Sequence, residues 1–76
     1  TDPWVWTRAW AAKEAAYKCL SALGVETAFE ALVPRWTSTD HAQLQAWVDG
    51  AAIQIELECR IEDEVIWMMA SAAVGD

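Results

Sequence analysis

The stretch Ala52–Ile61 alternates without interruption. Ile53, Ile55, Leu57, Cys59 and Ile61 fall on one side, and Gln54, Glu56, Glu58 and Arg60 on the other. A period of two is the side-chain period of a β-strand, and a helix would scatter those residues around its axis. One dry row and one wet row predict an antiparallel strand in a sheet covered on one face. Its neighbours follow from that. Asp49-Gly50, directly before it, is a strong two-residue hairpin signal, and Gln43–Val48 leads into it. After it, Glu62-Asp63-Glu64 reads as a solvated charged turn that reverses the chain into Val65–Val74. That last segment is apolar on both faces. If one helix covers one side of the sheet, something else must cover the other side of this strand.

The helix is at the start of the chain. Val5, Ala9, Ala12, Ala16, Leu20 and Leu23 recur at helical spacing as a core stripe, with Trp6, Trp10 and Tyr17 along one edge. Asp2 is suited to the N-cap and Pro3 to the first helical position, where its missing N–H costs nothing. Gly24 is the expected stop. The alanines allow the helix to approach a sheet closely. Between helix and hairpin, Phe29–Thr37 reads as a strand that Pro34 confines to an edge or a bulge. Ser38–His41 reads as a polar turn. Residues 40–48 fit a strand and also a short helix, because Leu44, Trp47 and Val48 have helical spacing too; strand is favoured. The expected fold class is therefore α+β, one long N-terminal helix packed on an antiparallel sheet of three or four strands, with 1–76 a single small domain.

At this size composition matters. A 76-residue chain buries only about 60% of its unfolded surface. Yet 55% of its residues are hydrophobic and six are Trp, more apolar material than one small core hides, so part of it is expected to face a partner. The net charge of −7 leaves no basic footprint for nucleic acid or for an anionic membrane. No apolar run reaches eighteen residues, no leader is legible at the start, and no repeat or low-complexity tract is present. Cys19 and Cys59 sit on the apolar sides of helix and strand without metal or redox spacing. They read as two reduced core thiols of a cytoplasmic protein, with a disulfide between them left open.

Five Lys and Arg stand against twelve Asp and Glu, and two of the five lie within the helical run Trp10-Ala-Ala-Lys13-Glu14-Ala-Ala-Tyr17-Lys18. Glu14 and Lys18 are one turn apart on the same strip, in the favourable order for a surface ion pair worth about 0.2–0.5 kcal/mol. Lys13 projects between Trp6, Tyr17 and Leu20, on the apolar side, where an ammonium must snorkel, pair or meet an anion.

The run resembles the W-x-x-K-E-A-x-x-K signature of the 4'-phosphopantetheinyl transferases, with matches at Trp10, Lys13, Glu14, Ala15 and Lys18. The order of helix, Gly24 and strands resembles the second half of the surfactin-synthetase-activating type, a two-lobed transferase. The resemblance covers most of the chain, and only the nine-residue run is specific. It implies transfer of phosphopantetheine from coenzyme A to a serine of an acyl or peptidyl carrier protein, with Mg2+. It implies Glu14 as magnesium ligand and catalytic residue, Lys18 as a catalytic contact to coenzyme A phosphate oxygens, and Lys13 as a second stabiliser of the pyrophosphate. The family's first half carries an acidic D-x-E motif for the remaining magnesium ligands, and Thr1–Ala9 holds no such motif. The resemblance thus implies half of a site, inactive without its N-terminal half or a partner chain. The rival is a non-catalytic α+β interaction or scaffold domain that retains the signature helix.

Other candidates are plainer. His41, the one histidine, stands in a polar loop beside Asp40 and reads as a surface residue without second ligand or triad. Gly24, Gly50 and Gly75 make no phosphate loop. The tryptophans at 4, 6 and 10 lack basic interleaving and read as packing against the sheet or a neighbouring half. Met68 and Met69 read as adaptable packing.

Overall fold

The computed structural model describes residues 4–74 and has one helix on one face of a four-stranded antiparallel sheet. Helix α1 spans Val5–Ala22. A single 3-10 turn at Phe29–Ala31 leads to β1 (Arg35–Trp36), β2 (His41–Val48), β3 (Ala51–Glu62) and β4 (Val65–Val74), in spatial order β1-β2-β3-β4. Strand wins over helix for residues 41–48 because the segment pairs with β3 over its whole length, from His41 opposite Glu58 to Val48 opposite Ala51. The strand expected over Phe29–Thr37 shrinks to Arg35–Trp36. Phe29 turns back to pack on the helix, its ring centroid 5.1 Å from that of Trp10 and 5.9 Å from that of Tyr17.

The end of the helix is built as its sequence predicts. Gly24 sits at φ 79°, its N–H donates to the Ser21 carbonyl at 3.0 Å, and the Val25 N–H donates to the Leu20 carbonyl at 2.9 Å. This is a Schellman closure, with Val25 and Leu20 as its apolar pair. At the other end Trp4 occupies the N-cap position without a side-chain cap. The expected roles of Asp2 and Pro3 lie outside the described residues.

The core is the inner sheet face against one helix stripe: Ala12, Ala16 and Leu20 of α1, Leu32 just after the 3-10 turn, Ala42 and Leu44 of β2, and Ile53, Ile55 and Leu57 of β3. The fully buried side chains Leu20, Ile55 and Leu57 stabilise the fold by about 1.5–3 kcal/mol each. The expected stripe is too long at both ends, for Val5 and Leu23 are 47% and 51% exposed. They occupy the first and last turns, outside the stretch where alanines bring the helix down onto the sheet. The two hairpins that flank β3 turn on paired positive φ angles, Asp49 (50°) with Gly50 (80°) and Asp63 (50°) with Glu64 (63°), as the right-handed twist of flanking strands demands. No described helix is long and apolar enough to cross a membrane.

Candidate functional site: a groove between the helix and the last strand

A helix presents positions i, i+4 and i+8 as neighbours along one strip, and Trp10, Glu14 and Lys18 occupy such a strip on α1. They form one wall of a groove of about 750 Å³ whose other wall is the inner row of β4: Ile66, Met68, Ala70 and Ala72. The groove owes its width to small residues, since Ala11 and Ala15 line the helix side and leave space that larger residues would fill.

Glu14 and Lys18 meet directly: Lys18 Nζ donates to Glu14 Oε1 at 3.0 Å. The Glu14 and Lys18 side chains are 48% and 74% exposed, so the pair faces water. The hydrogen bond from Lys18, then its charge, then a smaller hydrogen bond from the Trp10 indole hold the Glu14 carboxyl below the ordinary glutamate value. Glu14 is an anion at neutral pH.

Lys13 lies elsewhere. Its Nζ stands 5.1 Å from the centroid of the Phe29 ring, a cation–π distance, and it does not line the groove. The apolar side of the helix thus accommodates its lysine by snorkelling over an aromatic face. Of the three charged residues of the run, the structure brings Glu14 and Lys18 together and sets Lys13 on the far side of Trp10. Phe29, which seats Lys13 between Trp10 and Tyr17, was not legible as part of this cluster, because its contacts cross from a loop to the helix.

As a donor set, the groove offers a single carboxylate. Among the described residues no three His, Cys, Asp or Glu side chains gather as a metal nest. Magnesium takes one or two carboxylates and completes its octahedron with water and phosphate oxygens, so Glu14 fits as one protein ligand. Glu62, Asp63 and Glu64 are exposed at the β3–β4 turn and do not line the groove.

The remaining sequence candidates resolve simply. Asp40 accepts from Ser38 Oγ at 2.7 Å and lies 3.2 Å from His41 Nδ1. The Ser38 and His41 side chains thus both bind the carboxylate and not each other, while the Ser38 backbone N–H donates to the His41 carbonyl at 3.3 Å, so the cluster orders a turn and lacks the connectivity of a nucleophile and base. Ser38, then His41, hold the Asp40 carboxyl below its ordinary value. Cys19 and Cys59 are both free thiols, and burial pushes the Cys59 thiol up. Trp6, expected to pack against the sheet or a neighbouring half, is 84% exposed and does not pack against the sheet. The guanidinium of Arg8 lies 5.9 Å from the Trp36 ring centroid.

No protein-family model, curated protein or solved structure matches this chain.

Proposed function

We propose that the chain is a component of a 4'-phosphopantetheinyl transferase, half of a two-lobed enzyme that moves phosphopantetheine from coenzyme A to a serine of an acyl or peptidyl carrier protein. The observation that carries this reading is the signature run lying on one helix with Trp10, Glu14 and Lys18 along a single open groove. In the transfer, the serine oxygen bonds to the β-phosphorus of coenzyme A, the pyrophosphate P–O bond breaks, and 3',5'-adenosine diphosphate leaves as the serine gives up its proton. Negative charge builds on phosphoryl oxygens, and an ammonium fixed on a rigid helix stabilises it. Lys18 serves that role by exchanging its bond to Glu14 for one to a phosphate oxygen. Glu14 would hold Mg2+ through a carboxylate oxygen, and the ion would supply Lewis-acid neutralisation of the pyrophosphate. Lys13, beyond the groove, reaches a pyrophosphate only by leaving Phe29. Further carboxylates and the nucleotide site come from a companion segment or chain, and the cytoplasm is the compartment where coenzyme A, carrier and free thiols meet.

A specific observation favours a second reading. All three charged side chains of the run have partners within the fold, Glu14 with Lys18 and Lys13 with Phe29. An interaction or scaffold domain would keep them so. The discriminating experiment is the intact mass of an apo carrier protein after incubation with Mg2+, coenzyme A and this chain, alone and joined to the residues encoded upstream of Thr1. Transfer is expected only in the joined form, abolished by Glu14→Gln with the fold retained, and coenzyme A affinity is expected to drop with Lys18→Ala. No mass increase in either form, with both folded, leaves the scaffold reading standing.

A further inference from the structure

We infer that the free edge of β4 is a self-association surface, on which a second copy of this chain adds its own β4 antiparallel to form one continuous eight-stranded sheet. The two edges of the sheet are built differently. β1 is two residues long and follows Pro34 with a charged Arg35, the features that blunt an edge against pairing. β4 runs for ten residues, pairs among the described residues with β3 alone, and contains no charge and no proline. A long, uncharged edge of that kind is a template for another strand.

The order of residues in β4 selects the occupant. Its first half is bulky, Val65-Ile66-Trp67-Met68-Met69, and its second half is small, Ala70-Ser71-Ala72-Ala73, up to the final Val74. Antiparallel pairing with itself therefore sets large against small on either side of the centre. Residues directly opposite one another share a face, so the allowed registers keep the outer row (Val65, Trp67, Met69, Ser71, Ala73) against the outer row. Centred on Met69, the pairing brings Trp67 opposite Ser71 of the second copy, Ile66 opposite Ala72, Met68 opposite Ala70 and Val65 opposite Ala73, with Met69 facing itself.

Charge agrees. The acidic turn Glu62-Asp63-Glu64 adjoins one end of β4. Parallel pairing would bring the two turns side by side. Antiparallel pairing parts them by about ten residues, roughly 34 Å, several times the screening length of about 8 Å at physiological salt. Both helices lie on the same face of the joined sheet, and the Trp10–Glu14–Lys18 groove of each copy opens toward the dyad. The inference does not rest on the transferase reading; mass tests one and carrier modification the other.

The experiment is light scattering on the purified chain from micromolar to about millimolar concentration, with oxidative cross-linking of single-cysteine additions. Wild type is expected at twice 8.5 kDa. Met69→Lys sets two ammonium groups directly opposite each other at the dyad, where like charges oppose pairing, while in a lone copy the side chain stands on the exposed outer face opposite Glu58; it is expected to return the mass to that of one copy with an unchanged circular dichroism spectrum. Met69→Cys is expected to cross-link through the dyad, while Ala73→Cys and the wild-type chain do not under the same oxidation. A single-copy mass for wild type at every concentration overturns the inference, as does a doubled mass that survives Met69→Lys. Cross-linking of Ala73→Cys as readily as Met69→Cys overturns the register. Should Met69→Lys fail to fold, the cysteine pair alone decides.

Discussion

Strands β3 and β4 are hydrogen-bonded neighbours through ten paired positions, from Ile53 opposite Val74 to Glu62 opposite Val65, yet they obey different rules. β3 alternates, buries Ile53, Ile55, Leu57 and Cys59 under the helix, and shows Gln54, Glu56, Glu58 and Arg60 to water. β4 is apolar on both rows, with Trp67 and Met69 exposed on the outer one. A strand flanked on both sides, with one face covered, needs only one dry row. A strand with a free edge and apolar residues on both faces carries surface that this chain alone does not cover. The difference between neighbours is an apolar outer row left exposed on β4 and a polar one on β3.

The largest expected effect breaks the comparison at its strong side. Ile55→Ala empties a fully buried site at the middle of β3 and is expected to cost about 2–5 kcal/mol, a large share of what a domain of this size has. Met69→Ala on the outer row of β4 is expected to cost less than about 0.5 kcal/mol. Urea unfolding at low micromolar concentration reads both. Equal losses would mean that the outer row of β4 is covered within a single copy.

A second expectation concerns the thiols. Cys59 lies in the buried row of β3, opposite Met68, and burial raises its pKa, whereas Cys19 is half-buried and lines the groove beside β4. A disulfide reagent at pH 8 is expected to label Cys19 about tenfold faster or more, since the thiolate is the reactive form and Cys59 must await local opening. Comparable rates would show that the inner face opens as readily as the groove.

These contrasts were legible in the sequence to different depths. The β3 alternation, the Asp49-Gly50 hairpin and the Gly24 stop each depend on neighbours in sequence, and the structure has all three. That β4 is apolar on both rows was legible too, and its outer Trp67 and Met69 are exposed. What the local pattern could not supply were contacts between distant segments. Phe29 has the composition of a strand residue, and its turn back onto Trp10 and Tyr17 is a tertiary choice. Val5 and Leu23 obey the helical period, but the period does not say how far along α1 the sheet contact extends. For the site, spacing predicted the Glu14–Lys18 contact; the groove depends on where β4 lies beneath the helix, and Lys13 depends on Phe29.

The turns flanking β3 offer a smaller test. Both place two residues at positive φ, but one uses glycine at the second position and the other uses Glu64 (φ 63°). A side chain there costs about 1–2 kcal/mol against a right-handed conformation, partly offset by the extra chain entropy that glycine loses on folding. Glu64→Gly is expected to stabilise by about 0.5–1 kcal/mol in the same urea assay, and to leave the apolar rows of β4 unchanged. A loss of stability would mean that the carboxylate of Glu64 supports the turn.

The smallest effect belongs to the groove wall above β4. Glu14 is held below its ordinary pKa, chiefly by the Lys18 hydrogen bond, and Asp40 likewise, chiefly by Ser38. A depressed folded-state value means that the proton binds the unfolded chain more readily. The contribution is therefore complete above the unfolded value, about 4 for these carboxyls, and is lost as pH falls through the folded one. Both groups face water, so the loss is small and screened by salt. Melting temperature followed from pH 6 to pH 2.5 is expected to fall slightly more for wild type than for Lys18→Gln, and 1 M salt is expected to close the gap. If the two profiles coincide at low salt, Lys18 does not hold Glu14 in solution. The carboxylate beside β4 would then be free for a cation without first giving up a partner, which would weaken the case for a scaffold in which every charge of the helix run is already satisfied.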